Sequence, residues 1–182
     1  MSINITITLT TSDNKKNNTY KNMTSIDLGE CEIELRKYYN ISKDNKLYIK
    51  KIDVEQSGFQ IPKVEYDIYS KLNDSNLINL DKLICSNIKV NIIVPIKINE
   101  SLDILNSSSG YYNDICYIAT SDSGTDISLK DRKINYINEN KAVCQDDCYF
   151  SEYFYDMQKA QCSCEVKESS SSFDDMIIDK NI

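Results

Sequence analysis

Histidine and tryptophan are absent from this 182-residue chain, and glycine (four), proline (two) and arginine (two) are scarce. Without histidine there is no Ser-His-Asp or Cys-His nucleophile and no imidazole metal ligand. Gly29, Gly58, Gly110 and Gly124 are too scattered for a phosphate-cradling loop. Arg36 and Arg132 are the only guanidinium groups, and the net charge is −7. The chain therefore lacks the basic stripe with which nucleic-acid binding or adsorption to an anionic membrane begins. No run approaches 18 consecutive apolar residues, so no membrane-inserting helix is expected. Residues 1–20 lack the apolar core of a signal peptide. The carboxylate pairs Asp146–Asp147 and Asp174–Asp175 stand in polar surroundings that offer no apolar pocket to raise a pKa. Neither catalysis nor a cofactor is expected.

Cysteine is what the chain does have: Cys31, Cys85, Cys116, Cys144, Cys148, Cys162 and Cys164. With no histidine beside them, the first expectation is a disulfide framework, which persists in oxidising compartments. Cys31 and Cys85 form the natural pair of the first half, closing a loop of about 54 residues worth roughly 3–4 kcal/mol. The cluster Cys144-x3-Cys148-x13-Cys162-x-Cys164 also has the ligand count of a four-thiolate zinc site, although those spacings are unusual for one. No Cys-x-x-Cys redox motif occurs. Asn-x-Ser/Thr sequons lie at Asn4, Asn17, Asn22, Asn40, Asn73, Asn99 and Asn106. That is about twice the number chance gives for this composition, and sequons act only in the secretory pathway. Cysteines and sequons agree on a secreted or cell-surface glycoprotein carrying N-linked glycans. The missing signal peptide then implies a mature fragment, or one unit of a longer chain.

Period-2 alternation dominates residues 1–110. Ile3, Ile5, Ile7 and Leu9 alternate with Asn4, Thr6, Thr8 and Thr10, which predicts a strand with one apolar face inward and the Asn4 sequon in solvent. Ile88, Val90, Ile92, Val94, Ile96 and Ile98 share one parity, with Pro95 marking an edge or bulge. Shorter strands are expected at 47–54, with a phase slip between Ile49 and Ile52, and at 64–69. Residues 27–39 read as a helix with Asp27 and Glu30 as a capping box, although the alternation Cys31, Ile33, Leu35 equally suits a strand; another helix is expected over 128–138, opened by Ser128 and Asp131. The predicted fold is mainly β: a β-sandwich-like domain over 1–110 with one or two short helices, a disulfide-rich hairpin module over 111–167, and a linker with a terminal strand over 168–182. The serine run Ser169–Ser172 and the apolar Met176, Ile177 and Ile178 mark that last part.

The stretch from Cys148 to Cys164 reads as a hairpin, with aromatics on one arm and two cysteines on the other. Through Cys144-x3-Cys148 and Cys162-x-Cys164, residues 116–166 resemble EGF-like and related cysteine-rich modules of protist extracellular and surface glycoproteins. The glycines usual near the last cysteines, and the final cysteine itself, are missing. The resemblance implies Cys116 with Cys148 and Cys144 with Cys162, leaving Cys164 over; Cys144 with Cys162 and Cys148 with Cys164 is the alternative. Tyr111, Tyr112, Tyr117, Tyr149, Tyr153 and Tyr155 crowd the same region and are expected to fill its core rather than to form a sugar platform. Asp122 and Asp126 flank a glycine turn in a weak calcium-loop pattern that helix capping explains as well.

Together these features predict a non-enzymatic extracellular module with a structural role, a subunit of a fibre or coat that meets copies of itself. The assembly element is the terminal strand carrying Ile3, Ile5, Ile7 and Leu9, added to a neighbour's sheet, with an odd cysteine free to link units covalently. A monomeric adhesion or ligand-binding ectodomain is the alternative.

Overall fold

A computed structural model describes residues 3–13, 22–57, 59–71, 76–99, 101–138 and 141–170, without the side chains of 137 and 138. Two four-stranded antiparallel sheets pack face to face. The first, in the order β1-β3-β4-β5, consists of β1 (Ile3–Thr11), β3 (Leu47–Gln56), β4 (Lys63–Lys71) and β5 (Leu77–Leu80). The second, in the order β2-β6-β8-β7, consists of β2 (Ser25–Asp27), β6 (Lys89–Pro95), β8 (Lys159–Glu165) and β7 (Cys148–Phe154). The fold is thus mainly β, as its alternation predicts.

β6 pairs with β8 over seven residues, from Lys89 opposite Glu165 to Pro95 opposite Lys159. The cysteine hairpin is therefore the outer half of the second sheet, not an appendage to a sandwich made by residues 1–110. One continuous core joins Leu47, Ile49, Val64 and Ile68 of the first sheet to Val90, Ile92, Val94, Ala160 and Cys162 of the second. Pro95 marks neither an edge nor a bulge; it is the last residue of an interior strand, where a missing N–H costs least.

Helix α1 (Glu30–Tyr38) packs on the 3-10 turn Lys82–Cys85 and on β6, and the Cys31–Cys85 disulfide joins it to that turn. Asp27 does not cap it. The Asp27 carboxylate accepts from Gly29 N at 3.1 Å, and Gly29, at φ 54°, turns the chain into the helix in a conformation other residues avoid. Arg36 reaches back to Glu32 at 2.8 Å and forward to the carbonyls of Ser42 and Asn45, fixing the loop that leads to β3. Between β6 and β7 lie α2 (Leu102–Leu105), α3 (Gly110–Asn113) and α4 (Leu129–Asn138). α4 opens as predicted: Ser128 Oγ accepts from Asp131 N at 3.2 Å and donates to the Asp131 carboxylate at 2.7 Å.

Register of β3 with β1 and β4 runs unbroken, and the expected phase slip appears only in burial and later than predicted, where Val54 and Gln56 are buried after Asp53. The inward-facing positions after Leu47 and Ile49 are Lys51 and Asp53, only 3% and 6% exposed. Lys51 Nζ donates to Asp53 Oδ2 at 2.6 Å, to the Thr24 carbonyl at 2.7 Å and to Thr24 Oγ1; that hydroxyl donates to Asp53 Oδ1 at 2.6 Å. Thr24 directly precedes β2, so this polar clasp bridges the two sheets.

A second reversal lies on β1, the strand beside the clasp. On β1, Thr6 and Thr8 stand opposite Asp53 and Lys51, whereas Ile5, Ile7 and Leu9 stand opposite Val54, Ile52 and Lys50. Thr8 is half-buried beside the clasp and Thr6 stays exposed, while the apolar row faces solvent, with Ile3, Ile5, Ile7 and Leu9 exposed by 36%, 44%, 54% and 59%. Lys51→Ala should lower stability by about 3–5 kcal/mol, because Asp53 would stay buried without its cation, while the double variant Lys51→Met/Asp53→Leu should lose far less. Urea midpoints of the two proteins check this.

Candidate functional site

Six cysteines pair: Cys31 with Cys85, Cys144 with Cys162, and Cys148 with Cys164. The last two bridges follow from strand register. Cys148 and Cys164 are direct partners across β7 and β8, and Cys162 projects on the same side as Cys164, where Cys144 meets it. The Cys116–Cys148 bridge implied by the EGF-like resemblance does not form, and with all four cluster sulfurs in disulfides no zinc-binding thiolate remains there. Cys116, not Cys164, is the free cysteine, and it is exposed. It lies between Ile115 and Ile118, 80% and 86% exposed.

Gln145, inside the cluster, makes a tie that sequence reasoning missed. Its side-chain amide accepts from Val64 N at 2.7 Å and donates to Val64 O at 3.1 Å, copying a strand's pairing and binding the cysteine segment to β4. The chain after β8 is tied there too. Ser169 Oγ accepts from Lys82 Nζ at 2.7 Å and donates to Asp67 at 2.6 Å, and Ser170 N donates to Glu65 at 2.7 Å. Residues 168–170 thus run along β4 rather than as a free linker; 171–182, with the expected terminal strand, lie outside the described residues. Burial pulls the Lys82 ammonium below its ordinary range, against the attraction of Asp67, Glu65 and Glu168. Burial likewise raises the Tyr66 phenol, whose ring lies under that ammonium.

The tyrosines mostly serve packing. Tyr112 is buried and donates to the Ile104 carbonyl at 2.5 Å; Tyr111, Tyr117 and Tyr136 meet it or one another edge to face. Arg132, 2% exposed, threads this cluster, donating to Tyr111 O at 2.6 Å and facing the Tyr111 and Tyr117 rings. Tyr153 is buried with its hydroxyl on Ile96 O, while Tyr149 and Tyr155 are exposed.

Of the sequons, Asn4, Asn22, Asn40 and Asn99 are exposed and Asn106 is partly so, its side chain accepting from Ser108 N. Asn17 and Asn73 lie outside the described residues. Asn4 and Asn22 both line a cleft of about 440 Å³ shared with Asp53, Glu55, Phe59 and Pro95. A second cleft of about 380 Å³ mixes both charge signs, with Lys63, Glu65, Asp147 and Lys167 on its walls. Asp122 and Asp126 are exposed on a turn closed by its own bonds, Gly124 N to Ser121 O and Ser121 N to Thr125 O. Among the described residues no three Asp, Glu or Cys side chains converge as metal ligands. No described helix is long and apolar enough to cross a membrane.

Compared with family models, with curated proteins and with solved structures, the chain shows no match. The feature that stands out among those described is accordingly physical: an exposed apolar row on β1, with an exposed, unbridged thiol elsewhere on the surface. Peptide mapping without reduction should recover the three bridges and one thiol, Cys116, that alkylates in the native protein. A linked Cys116 peptide from the monomer would contradict this assignment.

Proposed function

We propose that this is an extracellular structural glycoprotein that assembles with copies of itself, a unit of a fibre or coat. The observation that carries the reading is the apolar row Ile3, Ile5, Ile7 and Leu9, which alternation would bury and which instead faces solvent. Contiguous exposed apolar patches mark interaction surfaces. Three disulfides support a secreted protein, since thiols stay reduced in the cytosol. The exposed sequons support N-glycosylation along the same route.

Cys116 gives the assembly a covalent option. A thiol set between two protruding isoleucines meets its counterpart on another copy without the fold having to open. Expressed through a secretory pathway, the protein should migrate partly as a disulfide-linked dimer on a non-reducing gel. Cys116→Ser should remove that band and leave thermal stability unchanged, as an exposed residue in no described bridge. Endoglycosidase treatment should shift the band by several glycans. A protein that stays monomeric at high concentration in light scattering, with Cys116 intact, would favour an adhesion ectodomain instead.

A further inference from the structure

We infer that β1 pairs with the β1 of a second copy, antiparallel about a two-fold axis, so that two four-stranded sheets become one of eight strands. This rests on the assembly reading and specifies its non-covalent contact. Sheet edges are ordinarily blunted by shortness, bulges, proline or charge. Three of the four edges here are blunted. β2 has three residues and β5 four. β7 carries a bulge between Phe150 and Glu152, with Glu152 itself a charge on the edge. Beyond β5, the exposed side of β4 is taken by Ser169 and Ser170.

β1 has none of these protections. It runs nine residues in unbroken register with β3, and from Ile3 to Ser12 there is no charge, proline or glycine. Among the described residues no strand pairs with its other side.

The strand is self-complementary. With Ile7 opposite Ile7 of the second copy, Ile5 meets Leu9 and Leu9 meets Ile5, and the period-2 rule keeps all of them on one face. The Asn and Thr side chains fall on the other face, so a glycan on Asn4 leaves the apolar row clear. Copies that each carry a net charge of −7 repel one another, and the approach is least opposed along a strand with no charge. The result is an isologous contact, which closes as a dimer. A second isologous contact, such as the Cys116 link, would turn closed dimers into an open chain.

The test uses Cys116→Ser protein, so that only non-covalent contact is read. Its mass by sedimentation equilibrium is expected at twice the chain mass, falling to the chain mass in Ile7→Lys, which places a charge mid-edge at an already exposed position. Unchanged disulfides and an unchanged melting transition in dilute solution would show that the lysine variant folds. In a separate Ile7→Cys/Cys116→Ser protein treated with oxidised glutathione, which takes up the two electrons and two protons, the two-fold register predicts a dimer joined by a disulfide between the two introduced thiols. Dimers that persist in Ile7→Lys would overturn this inference while leaving the assembly reading standing. A monomer both with and without Cys116 would sink the two together.

Discussion

The clasp of Lys51, Asp53 and Thr24 decides how the first sheet faces. Two charges at inward positions of β3 must be satisfied from within the sandwich, and the Thr24 carbonyl and hydroxyl, brought by the second sheet, do it. An ion pair of this kind adds little net stability, because desolvation offsets most of its attraction. Its effect is on specificity. Opposite Asp53 and Lys51, β1 places Thr6 and Thr8, short polar side chains that bring no bulky apolar group against the two charges. The cost is an isoleucine row left in water, together with one buried hydroxyl, Thr8 Oγ1, that finds no partner. Lys159, drawn to the Met23 carbonyl near the same clasp, is pushed below its usual ammonium range by burial and by the charge of Lys51.

The disulfides act at the opposite end of the problem. They join α1 to the turn before β6, and the β7–β8 hairpin to the segment that precedes it. Gln145 and Ser169 then attach that C-terminal half to β4. The two halves of the sequence are knitted through strand pairing, side-chain amides and serine hydroxyls, with the sulfur bridges confined within each half. Cys116 lies outside this scheme, on a surface loop beside the tyrosine-lined helices.

Local patterns made the strands legible before the fold was seen. Alternation located β1, β3, β4 and β6, and the Ser128–Asp131 pair located the start of α4. What alternation cannot reveal is which face of a strand is inside, since an apolar row reads the same either way. For β1 the answer lay some forty residues away, in the two charges that looked like a phase slip in β3. The β6–β8 pairing joins residues some seventy apart across the division expected at residue 110, because cysteine density does not show which sheet a strand joins. The Cys31–Cys85 pair was readable because only two cysteines precede residue 110. Among the other five, strand register chose the bridges, and register is invisible until β7 and β8 are aligned.

Among the described strands β1 is the open edge of the molecule, and amide hydrogen exchange at rising protein concentration tests its pairing most directly. Protection within residues 3–11 should increase with concentration, while the edges at β5 and β7 stay as they are in dilute solution. Protection of β1 that is independent of concentration, or a rise confined to β5 or β7, would contradict it.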